Sequence, residues 1–240
     1  MKQQILNYAA QLAPAEMCGF VLLVNGKQTF FPVKNMAKNP KEHAVFDPKA
    51  WLDAEELGDV VALVHSHPDG AAVLSPLDRQ AQQQTSLPWW LVSSRGLVEF
   101  PCVPHLLGRQ FDFGQLDCYT LMKDAYALAG HTLPNFRYEE DWWQKGQNLY
   151  IDNLPKHGFY QVKNPEPGDV LMIQLASDKA NHCAVYLGDN ELLHHCPNRL
   201  SNRQSFGGYW YYHLHSIWRY ERWQSSDFMG IYNDLVAGSS

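Results

Sequence analysis

The residues best suited to chemistry in this chain of 240 residues include a short cluster in its first third. His65 and His67 end an apolar run, residues 60–64, which is typical of a buried strand. Because side chains at positions i and i+2 of a strand point to the same face, the two imidazoles are expected to face one point. Asp78 follows eleven residues after His67 and can bring a carboxylate to that point. Two His and one Asp are ligands that zinc accepts, and three protein ligands leave a fourth position open, as in catalytic zinc sites.

The residues just before Asp78 predict the start of a helix. Ser75 fits the N-cap position, Pro76 the first helical position, and Asp78 the acidic residue of the first turn. A pair of solvated histidines in a loop is the alternative interpretation. The presence of Ser75, Asp78 and an upstream Glu16 favours the metal site over that alternative.

Together these residues resemble the signature of the JAMM (MPN-type) metallopeptidases, in which a Glu precedes the pattern H-x-H-x7-S-x2-D. The spacing from His67 to Ser75 and Asp78 matches that pattern. The resemblance covers about the first hundred residues and implies a Zn²⁺ ion held by His65, His67 and Asp78. It also implies that Glu16 is the general base for a water molecule activated by zinc, and that Ser75 stabilises the oxyanion. Zinc lowers the pKa of a bound water to about 7 and polarises a carbonyl, and a nearby carboxylate can move the proton.

A second set of reactive residues lies in the C-terminal half. Cys118 follows Asp117, a candidate N-cap, and would therefore lie at the start of a helix, where the helix dipole stabilises a thiolate. His182 begins an apolar strand pattern, and His194 follows after a hairpin. A thiol, an imidazole and a polar orienting group are what acyl transfer by a cysteine nucleophile requires. A buried core thiol is the alternative for Cys118, and the ordered set of partners favours catalysis.

This set resembles the NlpC/P60 cysteine peptidase family, whose members carry D-C at a helix start, a P-G-D turn, the strand motif H-x-x-x-Y-x-G and a second His. The matching residues are Asp117, Cys118, Pro167, Gly168, Asp169, His182, Tyr186, Gly188 and His194. The resemblance implies that Cys118 is the nucleophile, His182 the base and His194 the orienting residue, with the Cys118 backbone N–H in the oxyanion hole. Many members have a Tyr shortly before the nucleophile. Residues 111–114 read Phe-Asp-Phe-Gly here, so that hydroxyl is absent or supplied from elsewhere.

Several neighbouring residues are expected to play structural parts. His195 competes with His194, but adjacent strand residues point to opposite faces, and the twelve-residue offset from His182 favours His194. Trp142 and Trp143 could stack on a sugar, although such a pair is more often core. The remaining cysteines are expected to be structural: Cys18, Cys102, Cys183 and Cys196.

Composition narrows the class of protein. The net charge of −6 argues against nucleic acid as the main partner. The sequence lacks an apolar run of 18 or more residues, so no membrane span is predicted. The first residues lack the apolar core of a signal peptide, and we therefore expect synthesis in a cytoplasm, where the five cysteines stay free.

The pattern along the chain predicts an α+β protein of two domains, residues 1–103 and 104–240, with a boundary near Pro101, Pro104 and Gly108. The first is expected to be a JAMM/MPN-like domain with a mixed sheet flanked by helices. The second is expected to be a papain-like NlpC/P60 domain with a helix, residues 116–129, packed on an antiparallel sheet. Residues 209–212 and 217–220 are read as one or two late strands.

This order of domains in a chain of this length resembles the tail assembly protein K family of lambda-like phages. The resemblance implies a phage or prophage protein of tail-tip assembly that meets phage tail-tip proteins in the host cell cytoplasm, with the virion tail tip as a further location. It implies cleavage of peptidoglycan stem peptides, between D-glutamate and diaminopimelate, by the cysteine site, and of an amide or isopeptide bond by the metal site. The alternative is a non-lytic assembly factor whose metal domain processes or docks a tail protein.

Overall fold

The computed structural model describes residues 1–136 and 138–238. The chain divides into two compact units, one from Met1 to Val103 and the other from Pro104 onward. Each unit combines helices with a sheet of its own, so the predicted α+β class is confirmed. No helix in the described part of the chain is long and apolar enough to cross a membrane.

The N-terminal unit is built on a five-stranded mixed sheet in the order β2-β1-β3-β4-β5. Its strands β3 and β4 run parallel, and the other neighbouring pairs run antiparallel. The elements are α1 (Lys2–Leu12), β1 (Cys18–Val24), β2 (Lys27–Val33), α2 (Pro48–Glu55), β3 (Asp59–Ser66), α3 (Pro76–Thr85), β4 (Trp89–Ser93) and β5 (Gly96–Phe100).

Both faces of this sheet are buried, because alternate residues of the central strands point to opposite sides. On one face, Val64 of β3 belongs to a core with Ile5 of α1. On the other face, Leu63 belongs to a core with Ala54 of α2. The central strand β3 is therefore apolar over residues 60–64 and ends at the predicted histidine pair.

The C-terminal unit is built on a six-stranded antiparallel sheet in the order β10-β9-β8-β7-β11-β6, with α4 packed against β8 as predicted. Its elements are α4 (Cys118–Leu128), α5 (Leu149–Asn153), β6 (Phe159–Val162), β7 (Val170–Ile173), β8 (His182–Gly188), β9 (Glu191–His194), β10 (Asn202–Ser205), α6 (Tyr209–Tyr212), β11 (Leu214–Tyr220) and α7 (Phe228–Ala237).

Several elements differ from the sequence prediction. Residues 209–212 form the short helix α6 rather than a strand, and its three tyrosines are exposed, so they supply no buried strand face. Helices α5 and α7 and strands β6 and β10 were not predicted, and α5, β6 and β10 are too short to show a clear period. Gly230 allows α7 to approach α4 closely, since a Cβ there would lie 2.0 Å from the carbonyl oxygen of Leu128.

The P-G-D turn fixes the start of β7. Gly168 has a φ of +98°, and a Cβ at this position would lie 2.0 Å from the Trp223 ring, so only glycine fits. The buried Asp169 carboxylate accepts two hydrogen bonds from the Arg219 guanidinium, at 2.9 and 2.8 Å. The Asp of this motif therefore has a structural role, in which it joins the turn to β11.

Candidate functional site

Strand pairing brings Glu16 to the two histidines of the N-terminal unit. In the antiparallel ladder of β1 and β3, Cys18 lies opposite His65. One step further, the Met17 backbone N–H donates to Ser66 Oγ at 2.9 Å. The same register places Glu16 opposite His67, with its side chain on the face that carries both imidazoles.

His65, His67 and Asp78 converge on one point. The two Nε2 atoms lie 3.1 Å apart, and each lies 3.3 Å from Asp78 Oδ2. Ligand atoms placed about 2.0–2.1 Å from a tetrahedral zinc ion are separated by about 3.3–3.4 Å. The triangle therefore has the dimensions of one face of a zinc coordination tetrahedron, and the three side chains fit that ion.

Neighbouring backbone groups orient two of these ligands. His67 Nδ1 lies 2.9 Å from the Ala71 carbonyl oxygen, a contact that fits an Nδ1–H donor and directs Nε2 at the metal position. Asp78 Oδ2 accepts from the Ser75 backbone N–H at 2.8 Å, while the Asp78 backbone N–H donates to Ser75 Oγ at 3.1 Å. This reciprocal capping box starts α3 as the sequence predicted and holds the carboxylate at the histidines.

The Glu16 carboxyl is well suited to accept a proton. It is 7% exposed, and burial raises its pKa, an effect that the charges of His67 and His65 oppose. The Asn35 side-chain amide donates to the Glu16 carbonyl oxygen at 2.9 Å and holds this segment in place.

In the C-terminal unit, Cys118 is the first residue of α4. Asp117 is the N-cap: its side chain accepts from the Thr120 backbone N–H at 2.9 Å, and Thr120 Oγ1 accepts from the Asp117 N–H at 2.7 Å. Asp117 Oδ2 also accepts from the Gly114 N–H and from the Tyr138 hydroxyl. The thiol is thereby held at the positive end of the helix dipole, as predicted.

Cys118, His182 and His194 interact one after the other, from the start of α4 into the sheet. His182 Nε2 lies 3.1 Å from His194 Nδ1, and both rings are buried. A hydrogen bond from Cys183 lowers the pKa of the Cys118 thiol, burial opposes this effect, and the charge of His182 lowers the pKa further. Burial would lower the pKa of His182, but the charge of Cys118 and a hydrogen bond to it raise that pKa to about 10. The two groups therefore favour a thiolate–imidazolium pair.

His194 is suited to remain neutral in this line. Burial and the charge of His182 lower its pKa to about 4, and the charge of Cys118 opposes them. A neutral His194 can accept the Nε2 proton of His182. His195, the competing residue, instead packs its ring against Phe111 with 5.2 Å between the ring centroids.

The structure supplies a hydroxyl that sequence reasoning did not locate. Tyr150 of α5 places its hydroxyl 3.5 Å from Cys118 Sγ. Both residues line a cavity of about 270 Å³, together with His182, Trp142 and Trp143. Trp142 is buried, as expected of a core residue, and also forms part of the cavity wall. The aromatic enrichment of this stretch was the only sequence signal for Tyr150.

Two cysteines expected to be structural lie at the reactive groups. Cys183 is buried and interacts with the Cys118 thiol. Cys196 places its Sγ 3.5 Å from His194 Nδ1 and 3.9 Å from His182 Nε2.

Comparisons with known proteins agree with these two centres. The model described as prokaryotic homologs of the JAB domain matches residues 1–103, and that of the NlpC/P60 family matches residues 108–219. Tail tip assembly protein K of Escherichia phage lambda is 53% identical over 195 residues, which cover 80% of this chain and 98% of that protein. The chain belongs to the tail tip assembly protein K family. The predicted family and the order of its two domains are confirmed.

A second member of the protein K family shows a similar extent of likeness. Tail tip assembly protein K of Escherichia phage N15 is 36% identical over 231 residues, covering 90% of this chain and 93% of that protein. Among solved structures, an NlpC/P60 family protein from Bacillus cereus ATCC 10987 is 11% identical, with a TM-score of 0.39, over 89% of this chain and 66% of that one. That likeness is too low to add to the assignment.

Proposed function

We propose that this protein is a phage tail-tip assembly protein with two hydrolytic domains, residues 1–103 and 104–240. The C-terminal domain cleaves peptidoglycan stem peptides with a Cys118–His182–His194 site. The N-terminal domain hydrolyses an amide or isopeptide bond with a zinc site. The placement of Cys118 at a helix N-terminus, in a thiolate-favouring contact with His182, is the observation that carries the proposal.

In the cysteine site, the Cys118 thiolate attacks the carbonyl carbon of the scissile amide, and the protonated His182 gives its proton to the leaving amine. The Cys118 backbone N–H donates to the oxyanion, with the Tyr150 hydroxyl close by at 3.5 Å from the sulfur. His194 accepts the other ring proton of His182 and keeps the imidazole oriented. Water then hydrolyses the thioester and regenerates the thiol.

In the metal site, His65, His67 and Asp78 would hold the ion. A bound zinc would supply a Lewis acid and lower the pKa of a water ligand to about 7. Glu16 takes the proton of the attacking water and returns it to the leaving amine. The Ser75 oxygen accepts the Asp78 N–H, so its own hydroxyl proton remains for the oxyanion.

The name of the phage lambda relative supports the proposed location of this protein. A tail-tip protein is assembled in the host cell cytoplasm with other tail-tip proteins, and a copy retained at the virion tail tip would meet the cell wall. The non-lytic alternative, an assembly factor whose metal domain processes or docks a tail protein, is favoured by that same name.

Digestion of purified peptidoglycan with analysis of the released muropeptides by mass spectrometry tests the proposal. Wild type and Glu16→Gln are expected to release stem-peptide fragments, and Cys118→Ala is expected to lose at least about 10³-fold of that rate. Cys102→Ala, which changes a cysteine of the other unit, is the matched control.

Two results separate the candidate functions. If wild type releases no muropeptides but the Cys118→Ala or Glu16→Gln variant blocks tail formation in infected cells, the assembly role stands and wall cleavage is excluded. If Cys118→Ala retains full peptidoglycan cleavage, the cysteine assignment is wrong.

A further inference from the structure

Cys196, whose thiol is of a type that binds metals, lies beside His182 and His194 in the sheet. In the antiparallel ladder of β8 and β9, Ala184 lies opposite His194. The same register, continued past the end of β9, places Cys196 opposite His182. Because positions 194 and 196 point to the same face, His182, His194 and Cys196 present their side chains to one spot.

The distances among their ligand atoms form a second compact triangle. His182 Nε2 and His194 Nδ1 are 3.1 Å apart. Cys196 Sγ lies 3.5 Å from His194 Nδ1 and 3.9 Å from His182 Nε2. For zinc–nitrogen and zinc–sulfur distances of about 2.0 and 2.3 Å, tetrahedral geometry separates two nitrogens by about 3.3 Å and a nitrogen from a sulfur by about 3.5 Å. The observed separations of 3.1, 3.5 and 3.9 Å are close to these values, and small rotations of the rings would remove the differences.

The surroundings favour a thiophilic cation at this spot. Both imidazoles are at most 3% exposed, and the Trp210 ring covers them, with its centroid 4.4 Å from that of His194. Cys196 is only partly buried, which gives an ion a way in from solvent. One thiolate and two imidazoles form a ligand set that zinc prefers over magnesium or calcium.

We propose that His182, His194 and Cys196 form a second metal site, specific for Zn²⁺-like cations, whose occupation switches off the cysteine peptidase site. Binding releases the Cys196 thiol proton and the proton that the two histidines share. The Nε2 atom of His182 then bonds the metal and no longer bonds His194, so the base loses its orienting partner. Only this inhibitory part rests on the proposed peptidase function.

Titration of the full chain with Co²⁺ tests the site without any activity measurement, because a thiolate ligand gives a sulfur-to-cobalt charge-transfer band that a His₂Asp site lacks. We expect the band in wild type and in His65→Ala, which disables only the N-terminal site. Cys196→Ser is expected to abolish the band and weaken this binding by about tenfold or more. Cys102→Ser and Cys118→Ala are expected to keep it.

Three outcomes would overturn the proposal: no band in folded wild type, a band retained in Cys196→Ser, or a band lost in Cys118→Ala. Circular dichroism of each variant identifies a folding failure, and equilibrium dialysis with Zn²⁺ gives an independent count. Two ions are expected per wild-type chain and one in either His65→Ala or Cys196→Ser.

Inhibition is tested separately by muropeptide release with and without added Zn²⁺. We expect Zn²⁺ to abolish release by wild type and a chelator to restore it. If the cobalt band is present and peptidoglycan is never cleaved, the site stands and the peptidase function fails. If cleavage occurs and Zn²⁺ at saturation does not slow it, the inhibitory part of the proposal is wrong.

Discussion

The chemistry of Cys118 depends on a few neighbouring side chains. A hydrogen bond from Cys183 and the charge of His182 favour the thiolate, against the effect of burial. The pKa of His182 is about 10, so its imidazolium persists well above neutral pH. The ion pair therefore exists between two pH values, the lowered pKa of the Cys118 thiol and about pH 10. Below this window the thiolate is protonated, and above it the imidazolium loses its proton.

Alkylation by iodoacetamide should reveal this window. In metal-free protein, we expect Cys118 to react as a thiolate well below pH 8, because its pKa is lowered. Cys102 is an internal control, since burial raises the pKa of its thiol and it should react only at alkaline pH. Mass spectrometry of the two peptides after timed exposure measures both rates. Equal pH profiles for the two thiols would contradict the ion pair.

The Tyr150 hydroxyl is expected to assist the reaction rather than the fold. Tyr150→Phe removes only the oxygen that lies 3.5 Å from Cys118 Sγ. We expect kcat for muropeptide release to fall by about 10²-fold, comparable to the loss of one oxyanion donor, with KM little changed. Tyr160→Phe, at a half-exposed position, is the control. An unchanged kcat in Tyr150→Phe would assign the hydroxyl a packing role.

Among the helices, α3 shows how one residue can serve both structure and chemistry. Ser75 caps the helix through Asp78, which is itself a candidate metal ligand, so the S-x-x-D part of the motif is also a capping box. Helix capping therefore explains the presence of Ser75 and Asp78 at this spacing, independently of catalysis.

Two substitutions at Ser75 separate those roles. Ser75→Ala removes the cap and should destabilise the first turn of α3 by about 1 kcal/mol, whereas Ser75→Asn keeps a capping oxygen and should not. Both remove the hydroxyl, so both should lower hydrolysis at the metal site. Hydrogen exchange of residues 76–85 measures the first effect. Faster exchange in Asn as well as Ala would show that the hydroxyl itself is required for the helix.

At the scale of the whole molecule, the protein carries two sets of candidate site residues in two compact units with separate cores. All candidate residues of the metal site precede residue 104, and all those of the cysteine site follow it. Since no residue is shared between the sets, removal of one site should leave the other functional.

Independence of the two sites can be measured by a double-mutant cycle. We expect His65→Ala to leave peptidoglycan cleavage by Cys118 within about twofold of wild type. The effects of His65→Ala and Cys118→Ala on cleavage should combine with a coupling below about 0.5 kcal/mol, as for distant sites. Rates of muropeptide release for the four proteins, without added Zn²⁺ or chelator, provide the measurement. A larger coupling would show that the two domains act as one catalytic unit.

The candidate site residues that lie at strand and helix ends could be predicted from local pattern. The period of two in β3 places His65 and His67 on one face, and the S-x-x-D and D-C signals place Ser75, Asp78 and Cys118 at helix starts. These features depend on residues within one element, so sequence spacing captures them.

Other features required the folded chain. Tyr150 lies 32 positions from Cys118, and Cys196 lies 14 positions from His182, so loops and strand register decide both contacts. Residues 209–212 form helix α6 where a strand was predicted. The Trp210 ring of this helix contacts His194, which is distant in sequence, so local pattern did not predict it. The sequence was sufficient for the family, the two domains in order and the candidate nucleophile, since each follows from short motifs. The hydroxyl beside the thiol and the cysteine beside the two candidate histidines emerged only from the fold, because long-range packing has no period along the chain.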